Sequence, residues 1–452
     1  MKKLREKVNL GDIFKMSQAD WDVIVVGSGI MGLASAYYIK KHDPNKSVLV
    51  LEKEKTYAQG NSGRSVAGFR DFFSTDINFK LARSSIKFYN HVQHEMGYDV
   101  GMKYVGYLFL MSNRKFRSME PIIRKLQKST KMDIMDQKEL KNITDLNFEL
   151  KKDEQSLLSL EPVEVGVLGR NCGILDIEKL SSFYYEQCKA LGVEFKFSSE
   201  VRDITISPVE PIGYPGEPFL WQNKVVSSVT TENNEFSSRA FVLTMGAWTG
   251  KLLDRIGVDS HMRPKKRFVY QIGGGRIREI VHNSFGLNNE SVFPFTIFPS
   301  HGVYIRPYPQ NSTFWVSTSG TTSDQEVGET FSYDSMDNIE YVQPTDEYFN
   351  YNILPILRAY LKDLDDFKIK SSWTGYYSLN TQDKTPYIFK FLNSVVATGG
   401  SGAGLMKSDS IGRIVSSILL DEETTELFDH SRVTNGAIGI IDRDVGIESL
   451  RF

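Results

Sequence analysis

The chain of 452 residues holds only two cysteines, Cys172 and Cys188, too few for a disulfide framework or a multi-cysteine metal site. It has no excess of either charge: 54 Lys+Arg stand against 56 Asp+Glu, a formal net charge of -2, so no global field draws it to nucleic acid or to an anionic membrane. No apolar run approaches the ~18 residues that a helical membrane span needs. The basic start Met1-Lys2-Lys3-Leu4-Arg5-Glu6-Lys7 is not followed by the apolar core of a signal peptide. Histidines stand at 42, 91, 94, 261, 282, 301 and 430 without metal-ligand spacing, and the pair His91 and His94 reads as a solvated helix face. These absences predict a cytoplasmic protein with no metal, no nucleic-acid partner and no membrane span, in which any charged ligand is held by local groups.

What is present is enough apolar residue, 40% of the chain, to bury a large core, and the length suggests two or three domains at ~150 residues each. Trp21-Asp22-Val23-Ile24-Val25-Val26 is a β-branched run that suits a strand covered on both faces. A glycine turn follows, then the helical Leu33 to Ile39 and a second apolar run, 47–51, ending at Glu52: a βαβ unit. A polar loop over 59–70 precedes a helix expected from about Asn78 to Met96, and 111–160 reads as charge-rich and helical. Strands are expected at 193–197, 201–206, 240–248 and 394–398. Pro208, Pro211, Pro215 and Pro218 mark an irregular excursion outside the core. Alternating segments such as Gly302-Val303-Tyr304-Ile305-Arg306 and Phe314-Trp315-Val316-Ser317 suggest an antiparallel sheet between about 256 and 370.

The chemistry-bearing stretch is Gly27-Ser28-Gly29-Ile30-Met31-Gly32. In such a turn the first glycine permits the bend, the second admits a pyrophosphate, and the third lets helix pack on strand. The helix N-terminus supplies aligned N–H donors for the phosphate charge. Glu52 stands twenty residues past Gly32, where a ribose-binding carboxylate belongs, and an acidic residue there argues against a 2′-phosphate. A second close-approach loop, Gly399-Gly400-Ser401-Gly402-Ala403-Gly404, precedes a helix running to about Leu420. Such a loop suits the edge of a flavin, because the helix dipole favours the negative charge that develops near N1 on reduction. Bare glycine clusters also occur as linkers.

Three ordered blocks, Val242-Leu243-Thr244-Met245-Gly246-Ala247-Trp248-Thr249, Trp373-Thr374-Gly375-Tyr376-Tyr377 leading to Asp383-Lys384-Thr385-Pro386-Tyr387-Ile388, and Val396 through Met406, resemble the D-amino acid oxidase superfamily. The chain is most similar to its sarcosine oxidase, dimethylglycine dehydrogenase and dye-linked proline dehydrogenase branch. The resemblance implies an α/β fold: a Rossmann-type FAD-binding domain with an inserted α+β substrate domain on a mainly antiparallel sheet. The expected division is an N-terminal extension over 1–19, an FAD-binding domain from 20–110, 165–255 and 371–452, and a substrate domain from 111–164 and 256–370. The activity implied is oxidation of the carbon next to nitrogen in a small-molecule amino acid.

The cofactor shell is expected to comprise Gly27, Gly29, Ile30, Met31, Gly32, Glu52, Lys53, Ser62, Gly63, Arg64, Ser65, Val201, Gly246, Trp248, Gly375, Gly400, Gly402, Ala403, Gly404, Leu405 and Met406. On the substrate side stand Arg70, Tyr304, Arg306, Tyr377 and Met406. Arg70 matches the arginine that pairs with the substrate carboxylate, though a phosphate-side or surface role is the alternative. Relatives acting on D-amino acids have an arginine near Tyr377 and another in the last glycine loop, and this chain has neither. Sarcosine oxidases have a lysine about where Met406 stands, and Lys407 is displaced by one position. The lysine that promotes reaction with oxygen aligns with Tyr304, or with Arg306 if the register slips by two, which favours a carrier as electron acceptor. No cysteine lies between Trp373 and Asp383 and no histidine between Tyr57 and Asn90, so FAD is expected to be noncovalent. Two rival readings remain: a dehydrogenase of a 2-hydroxy acid or glycerol 3-phosphate, with His301 as base, and an FAD-binding subunit of a larger complex, docking through 208–218.

Overall fold

The computed structural model describes residues 19–318 and 339–450; the expected extension over 1–19 lies outside them except for its last residue. The β-branched run Trp21–Val26 is a strand whose last four residues are buried, and it pairs in parallel on both sides, with Val48–Leu51 and with Glu235–Leu243. The eight-stranded sheet runs in the order Tyr387–Phe391, Ser394–Thr398, Glu235–Leu243, Trp21–Val26, Val48–Leu51, Glu194–Lys196. A hairpin of Asp203–Pro208 and Lys224–Thr230 joins it through Glu235–Leu243, and the proline-rich excursion is the exposed loop of that hairpin. Apolar faces account for the layering. On one face Leu33, Tyr37 and Ile39 of the helix Ile30–His42 pack with Ile411, Ile414 and Val415 of the helix Ser408–Leu419, against Val23, Val25 and Val242. On the other face Ile24, Leu49 and Phe241 meet Val226 and Leu253.

The second eight-stranded sheet runs Lys368–Asn380, Met262–Gly273, Thr313–Thr318, Val303–Tyr308, Phe295–Ile297, Tyr107–Met111, Val165–Gly169, Met132–Asp136. Among the described residues its pairs are antiparallel except Tyr107–Met111 with Phe295–Ile297. The mixed α/β architecture with an inserted antiparallel sheet is the one expected. One local reading changes. The stretch 111–160 contains the helix Asn113–Gln127 but also the strand Met132–Asp136, whose polar residues hid the alternation. The strands Tyr107–Met111, Val165–Gly169 and Lys368–Asn380 all pair within the second sheet, the last of them along its whole length with Met262–Gly273.

Phe241, wholly buried in the middle of the first sheet, should be among the costliest truncations. Phe241→Ala is expected to lose about 3–5 kcal/mol through transfer and cavity terms, read as a fall in the urea midpoint at unchanged slope.

Candidate active site

The last residues of three adjacent parallel strands, Val26, Leu243 and Thr398, bring three loops to one edge of the first sheet. A cavity of about 1030 Å3 opens there and continues between the two sheets. At its near end Gly29 begins the helix Ile30–His42 with no side-chain cap, leaving first-turn N–H groups for a phosphate. The Ile30 N–H donates to Ser62 Oγ at 2.9 Å. A Cβ on Gly32 would lie 1.9 Å from the Gly27 carbonyl oxygen, so only glycine allows this helix to approach the strand. Glu52 accepts from the Ser28 N–H and Oγ at 2.7 and 2.8 Å and from the Glu54 N–H at 3.0 Å. It therefore shapes the turn as well as facing the cavity. Lys53 lies 3.7 Å over the Trp248 ring, and both line this end with Val201 and Gly246.

The distant glycine loop meets the first one at Met31: a Cβ on Gly400 or Gly404 would lie 2.8 or 2.6 Å from Met31 Cε. Gly402 has φ +78°, and its added Cβ would strike the Tyr377 ring at 2.8 Å. Ala403, Leu405 and Met406 complete this wall. Across from it the loop around 60–65 is tied to the second sheet. Asn61 Oδ1 accepts from the Tyr376 N–H at 2.8 Å, Arg64 donates to the Thr374 carbonyl at 3.4 Å, and its guanidinium stacks 3.7 Å from the Tyr341 ring. Ser62, Arg64, Ser65 and Gly375 all line the cavity.

Beyond the glycine loop lies an aromatic chamber. Tyr107 stacks on Phe295 at 4.0 Å, Phe295 on Tyr304 at 5.2 Å, and Tyr377 faces them from the other wall. Burial pushes the Tyr107 and Tyr304 hydroxyls well above the ordinary tyrosine range, so both stay neutral donors. Arg70 stands in this wall, donating to the Phe72 and Leu450 carbonyls at 2.8 Å each, with Phe73 4.3 Å from its guanidinium. Burial lowers its pKa and Glu448 works against that shift, leaving a charged guanidinium.

Three expected residues do not reach the cavity. Arg306 is buried behind the chamber, donating to the Pro307 and Leu175 carbonyls at 3.0 Å each and stacked 4.4 Å from Trp315; burial lowers its pKa to about 10. Gly32 and Gly63 act through packing and turn geometry, the Gly63 N–H donating to the Ala58 carbonyl at 2.8 Å. Lys407, one position past Met406, points away from the cavity: it is buried, donates to Asn78 Oδ1 at 2.6 Å, and burial drives its pKa down to about 7. His301 lines the cavity, but its Nε2 lies 2.6 Å from the Leu158 carbonyl oxygen. Sequence reasoning missed Asn61, Tyr107, Lys265 and Arg267 as cavity residues. Lys265, Arg267 and Val269 share one face of the strand Met262–Gly273, an alternation legible in the sequence only once that strand's inner face is known.

The donor set fits FAD: an uncapped helix N-terminus for the pyrophosphate, Glu52 for a ribose, and a second glycine loop at the far end for the ring. Among the described residues no cysteine lines the cavity, and the one histidine that does is held by a carbonyl, consistent with noncovalent binding. No group of three metal ligands and no helix fit to cross a membrane occurs among the described residues.

Gly32→Ala should give protein with little bound FAD, read from the flavin to 280 nm absorbance ratio after desalting. Lys407 makes a signed prediction. Its proton is disfavoured in the folded state, so the cost to stability is full below about pH 7 and fades as pH rises toward the ordinary lysine value. Lys407→Met is therefore expected to raise Tm, relative to the parent, more at about pH 6 than at about pH 9.

Residues 22–418 match the family described as FAD dependent oxidoreductase. The chain is 25% identical to FAD-dependent oxidoreductase domain-containing protein 1 of Xenopus laevis, over 88% of this chain and 79% of that protein. It is 22% identical to monomeric sarcosine oxidase of Bacillus sp. (strain B-0618), over 89% and 93%. Among solved structures, L-proline dehydrogenase from P. horikoshii shares the fold with a TM-score of 0.68 at 18% identity, covering 89% of this chain and 94% of that one. Glycine oxidase from Geobacillus kaustophilus shares it with 0.65 at 17%, covering 89% and 95%. With the glycine turn, Glu52 and the distant glycine loop assembled around one cavity, the chain belongs to the FAD dependent oxidoreductases, and it is an enzyme that binds FAD.

Proposed function

We propose that the enzyme oxidises the C–N bond of a small secondary or tertiary amino acid, of the proline, sarcosine or dimethylglycine kind, and passes the electrons to a carrier. The observation that carries this reading is Arg70 in the wall of an aromatic chamber that opens beside the Gly400 to Gly404 loop. FAD, held by the glycine turn, Glu52 and the Gly400 to Gly404 loop, would supply a two-electron acceptor for a hydride. The chain's own residues need only bind, orient and desolvate. Arg70 spends two donors on carbonyls and has five in all, so a fork remains for a carboxylate. Tyr107, Phe295, Tyr304 and Tyr377 exclude water from the reacting carbon. Low dielectric and the nearby guanidinium both disfavour an ammonium, so the substrate amine is held in the neutral form whose lone pair assists hydride loss.

Tyr377 and the last glycine loop lack the arginines of the D-amino acid pattern, which weighs against primary D-amino acids. A hydroxy-acid dehydrogenase would need a base for the hydroxyl proton, and the His301 contact with the Leu158 carbonyl competes for that role. Tyr304, where oxygen-reactive relatives are expected to carry lysine, supports a carrier as acceptor.

Anaerobic titration of the holoenzyme with proline, sarcosine, dimethylglycine, glycerol 3-phosphate and 2-hydroxyglutarate tests the reading through loss of flavin absorbance. Bleaching by an amino acid supports it, and bleaching by hydroxy compounds alone refutes it. Arg70→Ala should raise KM for the active amino acid about a hundredfold, the scale of a charge-assisted bidentate contact. Reduced enzyme should reoxidise slowly in air and quickly with an artificial acceptor dye; the reverse order would remove the carrier assignment.

A further inference from the structure

Arg70 is not held by its own loop alone. Its second carbonyl partner belongs to Leu450, and that carbonyl is placed by a segment clipped to the body of the enzyme at several points. Arg443 donates to both oxygens of Asp383 at 2.6 and 2.7 Å, with both side chains more than nine-tenths buried. Glu448 then accepts from the Ser74 N–H and Oγ at 2.8 and 2.7 Å, from the Thr75 N–H and Oγ1 at 3.2 and 3.1 Å, and from Asn78 Nδ2 at 3.3 Å. Its carboxylate also receives the Leu450 N–H at 3.0 Å, which fixes the peptide whose next carbonyl meets Arg70. The Leu450 side chain is buried in the cluster that contains Phe72, Tyr107, Phe295 and Tyr304.

The charges around this clip are arranged about one ring. Arg70 and Lys407 lie 4.3 and 4.4 Å from the centre of Phe73, and the Glu448 carboxylate is an anion acting on both cations. A buried carboxylate with six donors among the described residues is a rigid object. Its charge favours the Arg70 cation, while the guanidinium of Arg70 donates to the Phe72 and Leu450 carbonyls and lines the chamber.

We propose that Glu448 is the positioning residue of the substrate site: through the Leu450 carbonyl it sets the orientation of Arg70, and so the affinity for the substrate carboxylate. The inference rests on the reading of Arg70 as the carboxylate anchor. A purely structural stitch would change stability and leave substrate discrimination alone; a positioning residue couples to Arg70.

The test uses the FAD-loaded full chain. Binding of pyrrole-2-carboxylate and of its carboxamide is followed by perturbation of the flavin spectrum in the parent, Glu448→Gln, Arg70→Ala and the double variant. Glu448→Gln keeps the shape and removes the charge. It is expected to weaken the carboxylate about tenfold, leave the carboxamide unchanged, retain FAD, and raise KM more than it lowers kcat for whichever amino acid the enzyme oxidises. In the double variant the loss should equal that of Arg70→Ala alone, because Glu448 acts through Arg70. Additive losses, or equal weakening of carboxylate and carboxamide, overturn the proposal while the anchor stands. If Arg70→Ala leaves carboxylate binding intact, or the parent does not bind pyrrole-2-carboxylate, the anchor reading falls and the proposal with it. Should Glu448→Gln not yield folded holoenzyme, Ser74→Ala removes one donor to the carboxylate and should give a smaller effect of the same selectivity; no selectivity there overturns the proposal.

Discussion

The parallel register of three strands is the constraint from which the rest of the molecule follows. Val26 pairs with Leu243, and Leu243 with Val396, so segments from the beginning, middle and end of the chain finish side by side at one sheet edge. A parallel sheet places its crossover helices on its faces and leaves the carboxyl ends of its strands open, and that crevice is where such folds bind ligands. Here the geometry also brings two glycine loops against one methionine side chain. Met31 is confined between a helix N-terminus and the Gly400 to Gly404 loop, and any side chain on Gly404 would collide with it. The two loops therefore meet through this one side chain.

The second sheet extends the crevice at the edge of the first into a deeper aromatic chamber. Its strands contribute aromatic rings, Tyr107, Phe295, Tyr304 and Tyr377, and the cations Lys265 and Arg267, to the far half of the same cavity. Charge is sorted by depth. Arg306 and Lys407 are buried outside the cavity and donate to carbonyl or amide oxygens, whereas Arg70 donates to two carbonyls and also lines the chamber. The hydrogen bonds of the Arg70 guanidinium go to neutral carbonyl oxygens, and the Glu448 carboxylate supports its charge through space.

The sites legible in the sequence share a reason: they depend on local geometry. The glycine turn and Glu52 are separated by one βαβ unit, so their spacing carries the fold with it. The helix Asp76–His94 and the strand Ser394–Thr398 fall within a few residues of their expected bounds because periodicity alone marks them. Met132–Asp136 was misread because its pairing partner, not its own pattern, makes it a strand. Arg306 was misplaced for a related reason. Strand alternation puts it on the same face as Tyr304, yet two residues further along that face lies beyond the chamber, under Trp315 and the carbonyl of Leu175.

Asn61, Arg267 and the Glu448 clip carry no local signature at all, since their partners lie in other blocks of the chain. The sequence by itself pointed to a bound dinucleotide and excluded a disulfide framework or a multi-cysteine metal site. Those properties follow from residue type and short spacing. Tertiary structure alone decided which arginine faces the chamber, which lysine is turned away, and which distant carboxylate stands behind Arg70. Side-chain direction at a wall depends on what packs behind it, and here that packing comes from strands and segments far apart in the chain.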